Sequence, residues 1–444
     1  MLRIACLVLL LLYLSVAALA TERFPSPEFS QRYQFPQITT PGPRDQVLSY
    51  IDIGVLFAAL ALAAYLVLKR RSRRDLAVLV IFSLLYFGFY RHGCICSIGA
   101  IQNVALALWN DNYVLPITAG AFFLLPLLFA LFFGRVFCAG VCPLGVAQEV
   151  VLLRPVKVPL WLDNALGTVP YFYLGVAVLF AATESAFIIC QYDPFVLFFR
   201  MGGSVGMLIF GVAMLLLATV IGRPYCRYLC PYGVLLRLLS PFAKWQVKIS
   251  PEDCHSCHLC ADACPYGAIK PPTPEVGTVS RKEGKTRLAV LLALLPILVL
   301  AGAGLMHLGS PLLAQVHPEV RLADRLWLEE QSRVEGRTEA TEAFFIHGLP
   351  NMDAYREAAA IRKRFDTGSW ILGAWIGLVL GLRIICMSVR RHSQEYQADP
   401  AACVACARCY ALCPVEHARV QALAGGQTPV HEHADASIDT ERPQ

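Results

Sequence analysis

The sequence has few charged residues for its length and carries no motif of nucleotide or hydrolytic chemistry. Only 16% of its 444 residues are charged, against about 25% in soluble domains. Hydrophobic residues make up 57% of the chain, and the mean hydropathy is +0.54. This composition excludes an ordinary soluble enzyme and a disordered protein alike. No Walker lysine loop, Gly-x-Gly-x-x-Gly phrase before a helix or serine nucleophile elbow is present, so nothing favours nucleotide-driven or hydrolytic catalysis.

Apolar stretches predict a protein with several membrane spans. Seven stretches come close to the roughly 20 residues that cross a bilayer. They are residues 50–68, 76–92, 114–134, 168–188, 204–222, 288–306 and 369–388. Residues 1–20 combine an early Arg, an apolar run and an Ala-x-Ala ending, which predicts a secretory signal peptide. An uncleaved anchor is the alternative.

Basic residues beside the apolar runs orient the spans. The net charge is +6, and its clustered lysines and arginines determine topology rather than bind nucleic acid. The run from Lys69 to Arg74 follows the first span and predicts a cytoplasmic loop. Alternation then places 135–167, 223–287 and 389–444 in the cytoplasm and the N-terminus outside. Loops 91–113 and 189–203 are predicted on the exported side.

Two copies of one cysteine motif carry the clearest chemistry. The spacing Cys-x2-Cys-x2-Cys-x3-Cys-Pro occurs at Cys254, Cys257, Cys260 and Cys264, and again at Cys403, Cys406, Cys409 and Cys413. In ferredoxins three cysteines of such a run ligate one 4Fe-4S cluster and the fourth ligates the other. The spacing therefore assigns Cys254, Cys257, Cys260 and Cys413 to cluster 1, and Cys403, Cys406, Cys409 and Cys264 to cluster 2. Both motifs lie on the predicted cytoplasmic face, where reducing conditions keep thiols free for metal.

Two other interpretations of these cysteines are weaker. A zinc site needs only four thiolates and leaves the repeated run of eight unexplained. The segment Cys254-His255-Ser256-Cys257-His258 also satisfies the Cys-x-x-Cys-His spacing of c-type haem attachment. Both of its cysteines are already required by the cluster pattern, and an inverted topology would be needed to favour haem.

A second repeat follows two of the predicted spans. The phrase Gly-Arg-x-x-Cys-x-x-x-Cys-Pro-x-Gly begins at Gly134 and recurs 88 residues later at Gly222. Its cysteines are Cys138, Cys142, Cys226 and Cys230. Cysteines four residues apart share one face of a helical turn, so two such turns can supply four thiolates. A third 4Fe-4S cluster, a thiol redox switch and buried structural cysteines all remain open.

Three further cysteines lie in the loops predicted on the exported side. They are Cys94, Cys96 and Cys190. A metal site is one interpretation, and a disulfide with one buried thiol is the other. The phrase Cys96-Ser97-Ile98-Gly99, with Gln102 aligned to Gln148, suggests a degraded third copy of the membrane repeat.

These features divide the chain and predict its fold class. We expect an α-helical polytopic membrane protein, with about seven transmembrane helices after a signal peptide and a small cytoplasmic α+β ferredoxin module. The predicted segments are a signal peptide at 1–20, a short exported Pro-rich segment at 21–49, a transmembrane domain at 50–245, the first half of the ferredoxin module at 246–280, a helix at 288–306, an exported helical insert at 307–368, a helix at 369–388, the second half of the module at 395–420 and a disordered tail at 421–444.

The motifs together resemble a known family. Several spans that end twice in Cys-x3-Cys-Pro, with a pair of ferredoxin motifs, are similar to the NosR/NapH-type membrane-bound 4Fe-4S polyferredoxins. The resemblance covers residues 50–270 and 400–415 and depends most on Cys138/Cys142 and Cys226/Cys230. It implies an inner-membrane electron-transfer protein that works with the quinone pool and an exported respiratory reductase. Family members related to NosR serve nitrous oxide reduction and its maturation, and those related to NapH serve nitrate reduction.

The sequence departs from NosR in its exported part. NosR-like proteins carry an exported flavin-binding domain, but here that region is about thirty residues and lacks a Ser-Gly-Ala-Thr-type attachment phrase. Covalent FMN is not expected on this chain, and a separate flavoprotein or cytochrome is expected as partner. The first hypothesis is electron transfer between the quinone pool or cytoplasm and that partner. Maturation or redox sensing for an exported metalloenzyme is the alternative, and a redox-driven ion pump ranks third because ionisable residues lie only at span ends.

Overall fold

The computed structural model describes residues 45–93, 96–200, 202, 204–249, 257–273, 281–334, 336–346, 348, 350–388 and 396–416. The predicted signal peptide, most of the predicted exported segment and the predicted C-terminal tail lie outside the described residues. So do two predicted site residues, Cys94 and Cys254.

The first half of the described chain is helical and ends at the second membrane repeat. Its elements are α1 (Gln46–Tyr65) with a π-helical extension (Leu66–Arg70), α2 (Arg73–Ser83) with another (Leu84–Tyr90), α3 (Ser97–Trp109), α4 (Ile117–Phe133), α5 (Val136–Gly140), α6 (Pro143–Val150), α7 (Leu160–Leu166), α8 (Val169–Ala182), α9 (Ile188–Tyr192), α10 (Val196–Arg200), α11 (Val205–Ala218), α12 (Pro224–Tyr228) and α13 (Pro231–Leu239), followed by a 3-10 turn (Ser240–Phe242).

The second half contains the longest helices and two short strands. Its elements are α14 (Leu259–Ala263), β1 (Ile269–Lys270), α15 (Arg281–Leu308), α16 (Ser310–Ala314), α17 (Pro318–Glu330), α18 (Glu339–Ile346), α19 (Asn351–Ser388), β2 (Gln397–Ala398) and α20 (Arg408–Leu412). Helices α16 to α18 lie within the predicted insert, and α19 runs without interruption from the insert through the last predicted span.

Four helical stretches of the described residues are long and apolar enough to cross a membrane. They are Gln46–Arg70, Leu160–Ala182, Lys282–Leu308 and Asn351–Ser388, and each overlaps a predicted span. Helices α3, α4 and α11 are apolar but shorter. At 1.5 Å per residue, the 17 residues of α4 reach about 26 Å, less than the roughly 30 Å of a hydrocarbon core. The count of seven spans stays a prediction.

Local sequence explains why the membrane repeats form broken helices. Gly134 ends α4 with a φ of +71°, a conformation that glycine adopts without strain. Prolines then occupy the first position of α6, α12 and α13, where a missing backbone N–H costs nothing. Each repeat is thus two short helices joined at a cysteine, and Cys142 and Cys230 are the N-caps of α6 and α13.

Close packing of glycines holds the last two long helices together. An ideal Cβ at Gly373 would overlap the carbonyl oxygen of Gly302, and one at Gly377 would overlap that of Leu298. Small residues let membrane helices approach this closely and gain van der Waals contact. Helix α15 therefore packs along α19, while most of its remaining surface is exposed.

Candidate iron–sulfur sites

The two ferredoxin motifs meet although Cys403 comes 139 positions after Cys264 in the sequence. Strands β1 and β2 pair antiparallel, with Ile269 opposite Ala398, and α14 packs against α20. The phenol of Tyr396 hydrogen-bonds His258 Nδ1, which joins the halves again beside the first motif. The residues that spacing alone assigned to one module are therefore adjacent in the fold.

One cysteine of the first ferredoxin motif lies close to two cysteines of the second. Cys264 of the first motif interacts electrostatically with Cys403 and Cys409 of the second. The backbone N–H of Ala268 donates to Cys264 Sγ at 3.4 Å. Burial raises the pKa of Cys403 to about 12, so without metal this thiol is neutral, and it binds iron as a thiolate. Cys257, Cys260 and Cys413 are half-buried or exposed in the same module.

The four cysteines of the membrane repeats come together at one cavity. Cys138, Cys142, Cys226 and Cys230 all line it, together with Ile98, Arg135, Phe137, Gly145, Tyr232, Gly233 and Leu236. Three of the four are buried and Cys226 is half-buried. The two helical turns, each with cysteines at i and i+4, therefore place all four thiols around the same cavity.

Three of these four thiols accept an N–H hydrogen bond. The backbone N–H of Gly233 donates to Cys230 Sγ at 3.3 Å. Gln148 Nε2 donates to Cys226 Sγ at 3.3 Å, and Arg135 Nη2 to Cys138 Sγ at 3.8 Å. Burial raises the pKa of Cys226 to about 11, against the opposing influence of Arg223 and Gln148. Donors aimed at sulfur stabilise thiolates and tune iron–sulfur clusters.

This geometry fits a cluster better than a single metal ion. Among the described residues, no three His, Cys, Asp or Glu side chains converge closely enough to hold one ion. A cubane presents a separate iron to each of four thiolates, so its ligands stand further apart than those of one zinc ion. Cys138, Cys142, Cys226 and Cys230 line a common cavity, and three of them have a hydrogen-bond donor, so they are the candidate ligands for such a cluster.

A buried carboxylate links the membrane repeats to the ferredoxin module. Glu149 of α6 accepts from Arg73 Nη2 at 2.8 Å, Arg223 Nε at 3.0 Å and Arg408 Nη2 at 2.6 Å. The phenol of Tyr266 donates to Oε2, the carboxylate oxygen that also accepts from Arg223. Arg223 opens the second membrane repeat, Tyr266 follows the first ferredoxin motif, and Arg408 lies inside the second. We call these five residues the Glu149 hub.

The hub is charged in the folded protein. Burial alone opposes ionisation of Glu149, but the three arginines and the Tyr266 hydroxyl outweigh it and lower its pKa to about 2. The carboxylate therefore stays ionised and neutralises part of the positive charge around it. Arg223 is only 1% exposed, so it has no solvent to replace this partner.

A second contact joins the membrane cysteines to the ferredoxin loop. Arg135 reaches Cys138 through Nη2 and donates from Nη1 to the Ala401 carbonyl oxygen at 3.1 Å. Arg73 similarly donates to the Cys406 carbonyl oxygen at 3.1 Å. The loop that carries Cys403 and Cys406 therefore faces the first membrane repeat, while the Pro265 carbonyl accepts from Arg227 of the second.

The structure places Cys96 and Cys190 near the membrane cysteines. Cys96 and Cys142 line one cavity, and Cys190 Sγ lies 3.1 Å from where a Cβ on Gly99 would be. The basic residues of the sequence predict Cys96 and Cys190 on the exported side and the four membrane cysteines on the cytoplasmic side. The short helices α3 and α9 bring them together instead. Cys386 is exposed on α19.

Sequence reasoning missed Glu149. Its signal was present, because Glu149 is the single acidic residue of the first repeat and its following turn, and Arg237 occupies the same place in the second. Its partners come from positions 73, 223, 266 and 408, which no local pattern connects.

Comparison with protein families supports the chemistry of both regions. A family described as a 4Fe-4S binding domain matches residues 115–160 and again 204–250. Each match contains one Cys-x3-Cys-Pro phrase. A second family of the same description matches residues 247–270, around the first ferredoxin motif. The chain therefore carries 4Fe-4S binding domains. No solved structure matches significantly.

Several curated proteins are similar to parts of this chain. Protein NirI of Paracoccus denitrificans is 34% identical over 154 residues, which cover 32% of this chain and 23% of NirI. The putative electron transport protein YccM of Escherichia coli is 30% identical over 189 residues, covering 38% of this chain and 52% of YccM. The regulatory protein NosR of Stutzerimonas stutzeri is 24% identical over 248 residues, covering 50% of this chain and 34% of NosR.

These matches bear on the resemblance that the cysteine motifs predicted. The chain spans about a quarter of the length of NirI and about half of that of YccM, so the activities of those whole proteins do not transfer directly. The prediction is confirmed: this chain is a homologue of NosR and of other membrane-associated 4Fe-4S ferredoxin-type proteins.

Proposed function

We propose that this protein is an inner-membrane electron carrier with three 4Fe-4S clusters. Cluster 1 is held by Cys254, Cys257, Cys260 and Cys413, and cluster 2 by Cys403, Cys406, Cys409 and Cys264. The third is held by Cys138, Cys142, Cys226 and Cys230. Such clusters supply one-electron transfer, while the protein sets their spacing, burial and potential.

One observation supports the proposal above all others: the second ferredoxin motif docks on the membrane repeats. Arg135 contacts both Cys138 and the Ala401 carbonyl, and the Glu149 hub fixes Arg408 against Arg223. Cluster 2 is therefore the ferredoxin cluster next to the membrane cysteines, and cluster 1 is the outer one. A module without electronic contact to the membrane would not require this buried connection.

We propose that electrons are transferred across the membrane. The ferredoxin module is cytoplasmic, as the basic residues of the loops predict, and the N-terminus is exported. Electrons pass between the quinone pool or the cytoplasm and an exported reductase, flavoprotein or cytochrome. The name of YccM as a putative electron transport protein agrees with this role. We propose no covalent FMN and no nucleic-acid partner.

A second candidate function comes from the names of other relatives. Two NosR proteins are named as regulatory. Maturation or redox sensing for an exported metalloenzyme such as nitrous oxide reductase is therefore the alternative. An electron carrier must be re-oxidised as fast as its reductase turns over, whereas a sensor need not be.

Iron and acid-labile sulfide content of anaerobically purified protein tests the proposal, with EPR after dithionite reduction. Three 4Fe-4S clusters contain about twelve irons per chain, whereas the two ferredoxin clusters alone contain about eight. We expect twelve or more, with the interacting spectrum of the ferredoxin pair. Cys142→Ser should lower the count by about four, and Cys386→Ser should leave it unchanged. Zinc without labile sulfide would refute the electron-transfer function.

A further inference from the structure

The two membrane repeats carry equivalent arginines with different partners. Arg135 and Arg223 each follow the glycine that opens a repeat, and each precedes the first cysteine of that repeat by three residues. Both arginines are buried, with 3% and 1% of the residue exposed. Arg223 pairs with the carboxylate of Glu149 at 3.0 Å, so an acidic side chain of the protein balances its charge.

No carboxylate of the described residues forms a salt bridge with Arg135. Its Nη1 donates to the neutral carbonyl of Ala401 at 3.1 Å, its Nη2 reaches Cys138 Sγ at 3.8 Å, and its Nε has no hydrogen-bond partner. Arg237 interacts electrostatically with Arg135, but it is a second cation. Burying a charge costs free energy unless an opposite charge compensates it. The charge of Arg135 is therefore balanced by an anion other than a carboxylate of these residues.

The position of Arg135 indicates which anions these are. Its side chain lines the cavity that the four membrane cysteines share. Burial raises the pKa of Cys226 and of Cys403, and Arg135 is among the charges that oppose this rise in both. Cys226 is a ligand of the proposed third cluster, and Cys403 is a ligand of cluster 2. One guanidinium therefore acts on thiols of two different sites.

Iron-bound thiolates match the requirement for an anion. The thiolates and sulfides of a 4Fe-4S cluster outweigh the charge of its irons, and reduction adds one more negative charge. Net charge is one of the factors that set the reduction potential of such a cluster. A fixed positive charge beside a cluster favours its reduced form, and more strongly in a buried site than in water. Arginine suits this task because it stays charged in proteins.

We propose that Arg135 is a counter-ion shared by the third cluster and cluster 2, and that its charge raises the reduction potentials of both. Cluster 1 is affected less, because Arg135 reaches the ferredoxin module at Ala401, beside the cluster 2 ligand Cys403. A charge that acts on two centres moves their potentials together, so the driving force between them changes less than either potential. This inference rests on the proposed function, because it requires the third cluster.

Redox-titrated EPR of the full-length, anaerobically purified protein tests the inference. Arg135→Gln removes the charge but keeps an amide donor, whereas Arg135→Lys keeps the charge. In Arg135→Gln, the ratio of reduced to oxidised form at a fixed potential should fall about tenfold for the third cluster and for cluster 2, which lowers each midpoint by about 59 mV. Arg135→Lys should shift both midpoints by less than half as much. Cluster 1 should shift least in either variant.

An exposed arginine nearby provides the matched control. Arg154 lies in the loop after the first membrane repeat, and its side chain is exposed. Arg154→Gln removes the same charge from a position that solvent and salt screen. None of the three potentials should move in this variant.

Iron content keeps the test decisive if a neutral variant does not retain its clusters. Arg135→Met is a second neutral variant of similar length. Loss of about four irons from Arg135→Gln and Arg135→Met, with full retention in Arg135→Lys, would support the same requirement for charge. Equal loss from Arg135→Lys would overturn it.

Other outcomes separate this inference from the proposed function. If Arg135→Gln shifts the potentials no more than Arg154→Gln does, or shifts cluster 1 as much as cluster 2, the inference alone fails. Equal shifts in Arg135→Lys and Arg135→Gln would also overturn it, since the charge would not be their cause. If wild type shows the two ferredoxin clusters without a third, the proposed three-cluster function fails.

Discussion

Replacing Glu149 should release the ferredoxin module from the membrane repeats. The Glu149→Gln substitution keeps the shape of the side chain but leaves Arg73, Arg223 and Arg408 without their shared anion. Removing one partner of a buried ion pair costs about 3–5 kcal/mol. The estimate applies here because the Glu149 side chain is 2% exposed and that of Arg223 is 1% exposed, so water cannot compensate.

Hydrogen exchange of the module measures this cost directly. A loss of 3–5 kcal/mol raises the population of the detached module by about 10²–10⁴-fold, at 1.36 kcal/mol for each factor of ten. We expect amide exchange in α20 and β1 to accelerate by that factor, since local opening controls exchange. Glu149→Asp, which keeps the charge on a shorter side chain, should lie between wild type and Glu149→Gln.

An exposed contact of the same module serves as the control. Lys157 and Asp262 form an ion pair at 2.7 Å, with side chains 76% and 65% exposed. Exposed pairs contribute little to stability, so Asp262→Asn should leave exchange in α20 unchanged. The reasoning is refuted if Glu149→Gln accelerates exchange no more than Asp262→Asn does.

Three further predictions concern pH, the cluster environment and helix packing. The pKa of Glu149 is about 2 in the folded protein against an ordinary 4.5, so its stabilisation is complete above pH 4.5 and disappears as pH falls towards 2. The difference in unfolding free energy between wild type and Glu149→Gln should narrow over that range in denaturant titrations. Gln148→Leu removes a donor to the Cys226 sulfur. Redox-titrated EPR should therefore show the potential of the proposed third cluster, on Cys138, Cys142, Cys226 and Cys230, falling by on the order of 50 mV, the one-electron equivalent of about 1.4 kcal/mol. Gly373→Leu should separate α15 from α19 and lower the thermal unfolding temperature, whereas Gly304→Leu, whose Cβ would meet nothing within 4 Å, should not.

Sequence was sufficient wherever the chemistry is encoded in spacing. The Cys-x2-Cys-x2-Cys-x3-Cys-Pro runs predicted that two segments 139 residues apart would form one module, and β1, β2, α14 and α20 meet accordingly. The Cys-x3-Cys-Pro phrases predicted two turns with thiols on one face, and these turns share a cavity. In both cases the ligand pattern is local, so the tertiary structure only has to bring two copies together.

Sequence was insufficient where a site depends on distant charges or on helix breaks. The partners of Glu149 come from four separate segments, and hydropathy gives no weight to a single acidic residue in an apolar context. The sequence also predicted that loops 91–113 and 189–203 lie far from the membrane cysteines. A hydropathy pattern detects apolar stretches long enough to cross the membrane, and it does not detect short helices that enter it only part of the way. The alignment of Gln102 with Gln148 was visible, but only the backbone donors Ile189 and Tyr225 show that the two amides are used alike.

The two membrane repeats are alike in their cysteines and unlike in charge, and the asymmetry has a physical reason. The two membrane repeats contribute similar turns to the cavity, so each repeat forms one edge of the site. The single ferredoxin module can dock on only one of these two edges. At corresponding positions the first repeat carries Glu149, which binds arginines from three segments, and the second carries Arg237, which donates to the Arg227 carbonyl of its own repeat. A carboxylate in both repeats would leave one buried anion without its arginines, at a cost of several kcal/mol. The charge difference between Glu149 and Arg237 therefore selects which edge of the site receives the ferredoxin module.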